Sequence, residues 1–166
     1  GEEIRRPSRG RSAIVKTAAQ WIGLPPPRFQ EGDRVEIDWK KFRHAFPRHS
    51  VVLWLGDFDA RPVPEEWLSL RERYQVIGVR VDDPWERELP RIGEVAALDP
   101  VDGELVPFDT NSKANRKAHA AWVEAREQAF RTLFPRPADR LVLEVGEDPL
   151  HALVRFFRAR THWLKG

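Results

Sequence analysis

Residues 51–60 read VVLWLGDFDA. An unbroken apolar run from Val51 to Leu55 passes into Gly56, Asp57, Phe58 and Asp59, which is the pattern of a strand covered on both faces in a parallel sheet. Residues 74–81, YQVIGVRV, repeat the strand signal. Between them lies a helix start: Pro64 is preorganised for a first turn, Glu65 and Glu66 suit the positive end of the helix dipole, and Trp67, Leu68 and Leu70 supply a face to bury. Strand, helix and strand with short connections predict a right-handed crossover and a parallel pair. The class is therefore α/β, and Asp57 stands at a strand end, where open parallel sheets bind ligands.

Upstream, residues 12–24 place Ile14, Val15, Ala18, Ala19 and Ile22 at helical spacing, with Ser12 as an N-cap and Pro25, Pro26 and Pro27 as the stop. GDRVEIDW at 32–39 alternates Val35, Ile37 and Trp39 with charged residues, which suits a half-exposed strand, and Asp38 is a cap for a short helical turn after it. Downstream, GEVAALDPVDGELVPFD sets apolar runs on either side of Asp-Pro-Val-Asp-Gly and predicts a β-hairpin at the margin of the sheet. Residues 112–134 form the longest predicted helix, capped by Asn111 or Ser112, with Ala114, Ala118, Ala121, Trp122, Ala125, Ala129 and Leu133 as the stripe that approaches the sheet. Residues 140–145 give another strand, and Asp148-Pro149 opens a last helix that buries Leu150, Leu153, Val154 and Phe157.

The composition bounds what this layout can do. The chain has 166 residues, room for one α/β domain over 31–166 behind an arm and short helix over 1–30. It contains no cysteine, which excludes disulfides, thiolate metal sites and cysteine nucleophiles. A net charge of +2 is too small to indicate nucleic acid, and the arginines at 5, 6, 9 and 11 read as a solvated terminus. No apolar run approaches the roughly 20 residues of a membrane span, and no signal peptide is evident, so a soluble, cytoplasmic protein is expected. Gly1 in place of a starting methionine is expected to mark a cut chain.

The stretch at 82–110, DDPWERELPRIGEVAALDPVDGELVPFDT, resembles the signature of the domain-of-unknown-function family 58, a bacterial branch of von Willebrand factor A-like domains. The apolar strand ending in Gly-Asp-Phe, the alanine-rich helix and EDPLHALVRFFRAR at 147–160 follow in the same order, so the resemblance covers about residues 50–160. RFQEGDRVEIDWK at 28–40 is similar to the Gly-Asp-to-Ile-Asp-Trp segment that the family carries ahead of its A-like domain. The resemblance implies a three-layer Rossmann-like A-like fold that is partial or degenerate, lacking the first half of its sheet. It also implies work as a non-catalytic adaptor beside a MoxR-type AAA+ ATPase.

A-like domains similar to this one hold a divalent cation with three loops, and Asp57 stands where the third-loop aspartate would be. No Asp-x-Ser-x-Ser occurs in the chain; DTNSK at 109–113 has Asn111 and Lys113 in place of the serines. Asp57 with Asp59 is thus a degenerate metal site. Mg²⁺ is the ion it would take, with waters completing the octahedral shell, and no cofactor is expected. An alternative acidic cluster, Asp57 with Asp82 and Asp83 after adjacent strands, would support divalent-cation-dependent phosphodiester or nucleotide chemistry. The histidines at 44, 49, 119, 151 and 162 lack metal-ligand spacing, and His119, His151 and His162 read as surface or helix-face residues. No catalytic residue is assigned. Without a first strand beside it, Val51 to Leu55 forms an open apolar edge: either residues 34–39 fill the place or the chain dimerises there, through Val51, Leu53 and Leu55. Trp85, in a turn, is the other candidate partner-binding residue.

Overall fold

The computed structural model describes residues 10–24, 40–42, 46–58, 63, 65–99 and 103–163. The expected proline stop at 25–27 and strand at 34–39 lie outside them, as do Asp38, His44, Asp59 and Pro64. The chain divides into two compact units, Gly1–Ile37 with Leu98–Glu104, and Asp38–Ala97 with Leu105–Gly166.

In the first unit, helix α1 spans Arg11–Ile22. It begins with the Ile14 N–H on the Gly10 carbonyl at 3.2 Å, so Ser12 falls inside the first turn and is not its cap. Ile14, Val15 and Ile22 are all exposed. The hairpin tip also belongs to this unit: the Asp99 N–H donates to the Glu104 carbonyl at 2.8 Å, and Gly103, with φ of 77°, donates to that of Asp99 at 2.9 Å.

The second unit is built on strand β1 (Val51–Leu55), helix α2 (Trp67–Arg73) and strand β2 (Gln75–Asp82). A short helix α3 (Pro84–Arg87), the strands β3 (Glu94–Leu98) and β4 (Leu105–Asp109), helix α4 (Lys113–Leu133), strand β5 (Arg140–Glu144) and helix α5 (Pro149–Trp163) follow. β1, β2 and β5 form a parallel sheet in the order β1-β2-β5, in register Val51 to Gln75 and Gly78 to Arg140. Among the described residues β3 and β4 pair only with each other and do not join the margin of that sheet. The foot of the hairpin is closed on itself: the buried Thr110 hydroxyl donates to the Gly93 carbonyl at 2.7 Å and accepts from the Ile92 N–H at 3.1 Å.

Helices cover both faces of the parallel sheet. On one, Phe58, Trp67, Leu70, Tyr74, Val76, Phe130, Leu133 and Phe134 form the main core, with Val52 and Trp54 of β1 packed against it. Gly78 makes this layer possible, because a Cβ there would lie 2.4 Å from Phe134 Cε2 and 2.7 Å from Phe130 Cε2. The Trp67 indole N–H donates to the Leu133 carbonyl at 3.1 Å and ties α2 to the end of α4. On the other face Ile77, Val79 and Leu141 meet Phe156 of α5.

Three burial expectations are corrected here. Among the described residues β1 is covered on one face only: Val51, Leu53 and Leu55 are exposed. On α4, which Ser112 caps as expected, the alanines at 114, 118, 121 and 125 face solvent, and Arg126, Phe130 and Leu133 are buried. The aromatic pair that fills the notch over Gly78 sets the helix rotation, and alanine on the outer face serves as a strong helix former. α5 turns Ala152, Phe156 and Arg160 inward and leaves Leu150, Val154 and Phe157 exposed. The rotation follows Arg160, whose guanidinium donates to the Ala138 carbonyl at 2.9 Å and to buried Asp139 at 3.4 Å.

Candidate functional site at the strand ends

The carboxyl ends of β1 and β2 bring the predicted acidic residues into one neighbourhood and give each a separate role. Asp82 is buried on the face of β2 that α4 covers, two residues after Arg80 and on the same side of the strand. The Arg80 guanidinium grips it with two parallel bonds, Nε to Oδ1 at 2.7 Å and Nη2 to Oδ2 at 2.9 Å. Arg126, reaching down from α4, donates its Nη2 to the same carboxylate at 3.1 Å. Both oxygens of Asp82 are therefore engaged by cations, an arrangement that offsets the cost of burying charge and leaves no lone pair facing an open cleft.

Arg126 joins four elements. Its Nε donates to the Asp57 carbonyl at 2.9 Å, its Nη1 to Glu86 of α3 at 3.2 Å, and the guanidinium lies 5.1 Å from the centroid of the Trp122 ring. Arg80 extends the network through Nη2 to Glu127 at 3.0 Å and lies over the Phe130 ring at 4.9 Å, where its Nη1 is buried with no hydrogen-bond acceptor among the described residues. Burial opposes the charge on Arg80, yet the bonds to Asp82 and Glu127 outweigh it and hold the guanidinium above its ordinary value. Burial likewise opposes the charge on Glu127, while hydrogen bonds from Arg131 and Arg80 hold its carboxyl below the usual carboxylate range.

Asp57 itself is exposed and contributes only its backbone to this network. The residue that the turn after β1 commits to the interior is Phe58. Its φ of 56° is in the left-handed region that non-glycine residues seldom enter, and its ring packs 4.8 Å from Phe130 and 5.5 Å from Trp54. Asp83 is the N-cap of α3: its Oδ1 accepts the Trp85 N–H at 2.8 Å while Glu86 accepts the Asp83 N–H at 3.2 Å, a reciprocal capping box. Among the described residues, no group of three or more histidines and carboxylates is placed to hold a metal ion.

Trp85 follows that cap on a helix, not in a plain turn, and half of its surface is exposed. Its carbonyl accepts from His119 Nε2 at 2.9 Å, so the neutral ring is protonated at Nε2, and the His119 ring is 5.8 Å from that of Trp122. An aromatic strip from Trp85 through His119 to Trp122 thus crosses α3 and α4. A groove of about 430 Å³ opens beside it between α4 and residues 87–89, with Arg87, Arg116 and Arg131 alternating with Glu88, Glu124 and Glu127, so it offers no single ion a net charge.

A family model described as protein of unknown function DUF58 matches residues 2–129. The chain belongs to this family. The match takes in residues 2–49, ahead of the expected span of about 50–160, and stops within α4. No curated protein and no solved structure matches the DUF58 chain. Sequence reasoning missed Arg80, Arg126, Glu86 and Glu127 as members of the site, and it gave the helix-face residue His119 no part in it. Arg80 did carry a signal: a cation between Val79 and Val81, inside a predicted strand, needs an anionic partner if it is buried, and Asp82 lies two residues on along the same strand face.

Proposed function

We propose that this DUF58 chain is a non-catalytic protein-interaction domain, an adaptor working in the bacterial cytoplasm with a MoxR-type AAA+ ATPase, and that its fold is a partial von Willebrand A-like domain. The observation that carries the reading is Trp85. Its indole is half exposed to water, and its backbone is fixed at both ends, the N–H by the Asp83 cap and the carbonyl by His119. Exposed aromatics on rigid supports are what interface anchors are made of. The carboxylates that an enzyme would need are otherwise employed, Asp82 by two arginines and Asp83 by the α3 cap. No described helix is long and apolar enough to cross a membrane.

Titration of the purified chain into a MoxR-type ATPase encoded by the same genome tests this. Calorimetry should give saturable binding for the wild type and a loss of about tenfold or more, roughly 1.4 kcal/mol, for Trp85→Ala. Mg²⁺ and Mn²⁺ titrations should give the same trace for the wild type and Asp57→Ala. A cation-binding heat that Asp57→Ala abolishes would instead favour the divalent-cation-dependent phosphodiester or nucleotide enzyme built on Asp57, Asp82 and Asp83.

A further inference from the structure

We propose that β1 is a self-pairing edge, and that two copies join their parallel sheets by antiparallel β1 contacts centred on Leu53. This goes beyond the adaptor reading and does not depend on it. The bonds on the inner side of β1 fix which groups face outward. Ser50 accepts from the Gln75 N–H at 3.0 Å and Gly56 donates to the Val79 carbonyl at 3.2 Å, so the even-numbered residues of β1 turn their backbone toward β2. Because the backbone alternates, Val51, Leu53 and Leu55 turn their N–H and C=O the other way, where β1 has no neighbour among the described residues.

A two-fold axis at Leu53 uses those groups completely. Leu53 meets Leu53 of the second copy and Val51 meets Leu55 as hydrogen-bonded pairs, alternating with non-hydrogen-bonded pairs of Val52 and Trp54. A shift by one residue would set outward groups against side-facing ones. The axis is perpendicular to the sheet, so the exposed Val51, Leu53 and Leu55 side chains of both copies fall on the same face and form one apolar stripe. Charge selects the same orientation. Exposed Arg48 and His49 precede the strand and exposed Asp57 follows it, so antiparallel pairing brings each basic end to the acidic end of its mate, while parallel pairing sets like against like.

The chain has no cysteine, which makes the register testable with single substitutions. Light scattering of the wild type should give twice the chain mass, falling to the chain mass in Leu53→Lys with the far-ultraviolet circular dichroism kept. Leu53→Cys should form a disulfide dimer under mild oxidation, because hydrogen-bonded partners in an antiparallel pair lie about 5.5 Å apart at Cα, within disulfide reach. Val51→Cys mixed with Leu55→Cys should form the mixed dimer in preference to either homodimer, and exposed Leu68→Cys on α2 should stay unlinked. A wild type of single-chain mass up to about 100 μM, as a strand from elsewhere in the polypeptide covering β1 would give, overturns the proposal. So does a dimer that Leu53→Lys leaves intact, or cross-linking no faster at Leu53→Cys than at Leu68→Cys.

Discussion

Asp82 on β2 and Arg126 on α4, 44 residues apart in the chain, meet at 3.1 Å with 2% and 5% of their side-chain surfaces exposed. Arg126 also holds the Asp57 carbonyl and Glu86, so one guanidinium ties the carboxyl ends of β1 and β2 to α3.

Removing Asp82 leaves the two buried guanidinium groups short of their shared anion. Asp82→Ala is expected to lower the unfolding free energy by about 3–5 kcal/mol in urea titrations. Asp57→Ala, which removes an exposed carboxylate, is expected to stay within about 0.5 kcal/mol of the wild type.

The notch at Gly78 admits no methyl group. Gly78→Ala should cost about 1–3 kcal/mol by forcing Phe130 and Phe134 away from β2. Pairing it with Phe134→Leu should recover part of the loss, a non-additivity read from the four urea midpoints of the cycle.

Acid should release the bond between Glu127 and its arginines. Folding lowers the Glu127 pKa, so its contribution to stability is fully present above the unfolded value of about 4.3 and is lost as pH falls through the lower folded-state value. Glu127→Gln should therefore be less stable than the wild type at pH 7, and the gap between their urea midpoints should close as the pH is stepped below that value.

The cap on α3 is a local device with a local cost. Asp83→Ala should lower stability by about 1 kcal/mol in thermal denaturation and leave the parallel sheet in place, because it removes the acceptor of the Trp85 N–H and keeps the Asp83 N–H that Glu86 accepts.

The strands at 51–55, 75–82 and 140–144, the parallel pairing and the Ser112 cap were legible because each depends on residues close together in sequence. The rotation of α4 was not. Alanines at helical spacing look the same whether they line a sheet or face water, and what decides between the two is the Phe130 and Phe134 pair over Gly78, a contact that crosses more than fifty residues. The acidic cluster was legible as a neighbourhood and not as a set of roles. Asp82 differs from Asp57 only because Arg80 shares its strand face and Arg126 descends onto it. The inward turn at Phe58 had no signal at all, since nothing in Gly-Asp-Phe-Asp marks the third residue for a left-handed backbone.

Trp54 and Trp67 stack edge to face with centroids 5.3 Å apart, one on β1 and the other on α2. Two indoles held at a fixed angle in an asymmetric interior give a near-ultraviolet dichroic band that a loosened core cannot sustain. The first crossover of the molecule therefore carries its own optical gauge, sensitive to the moment its strand and helix part company.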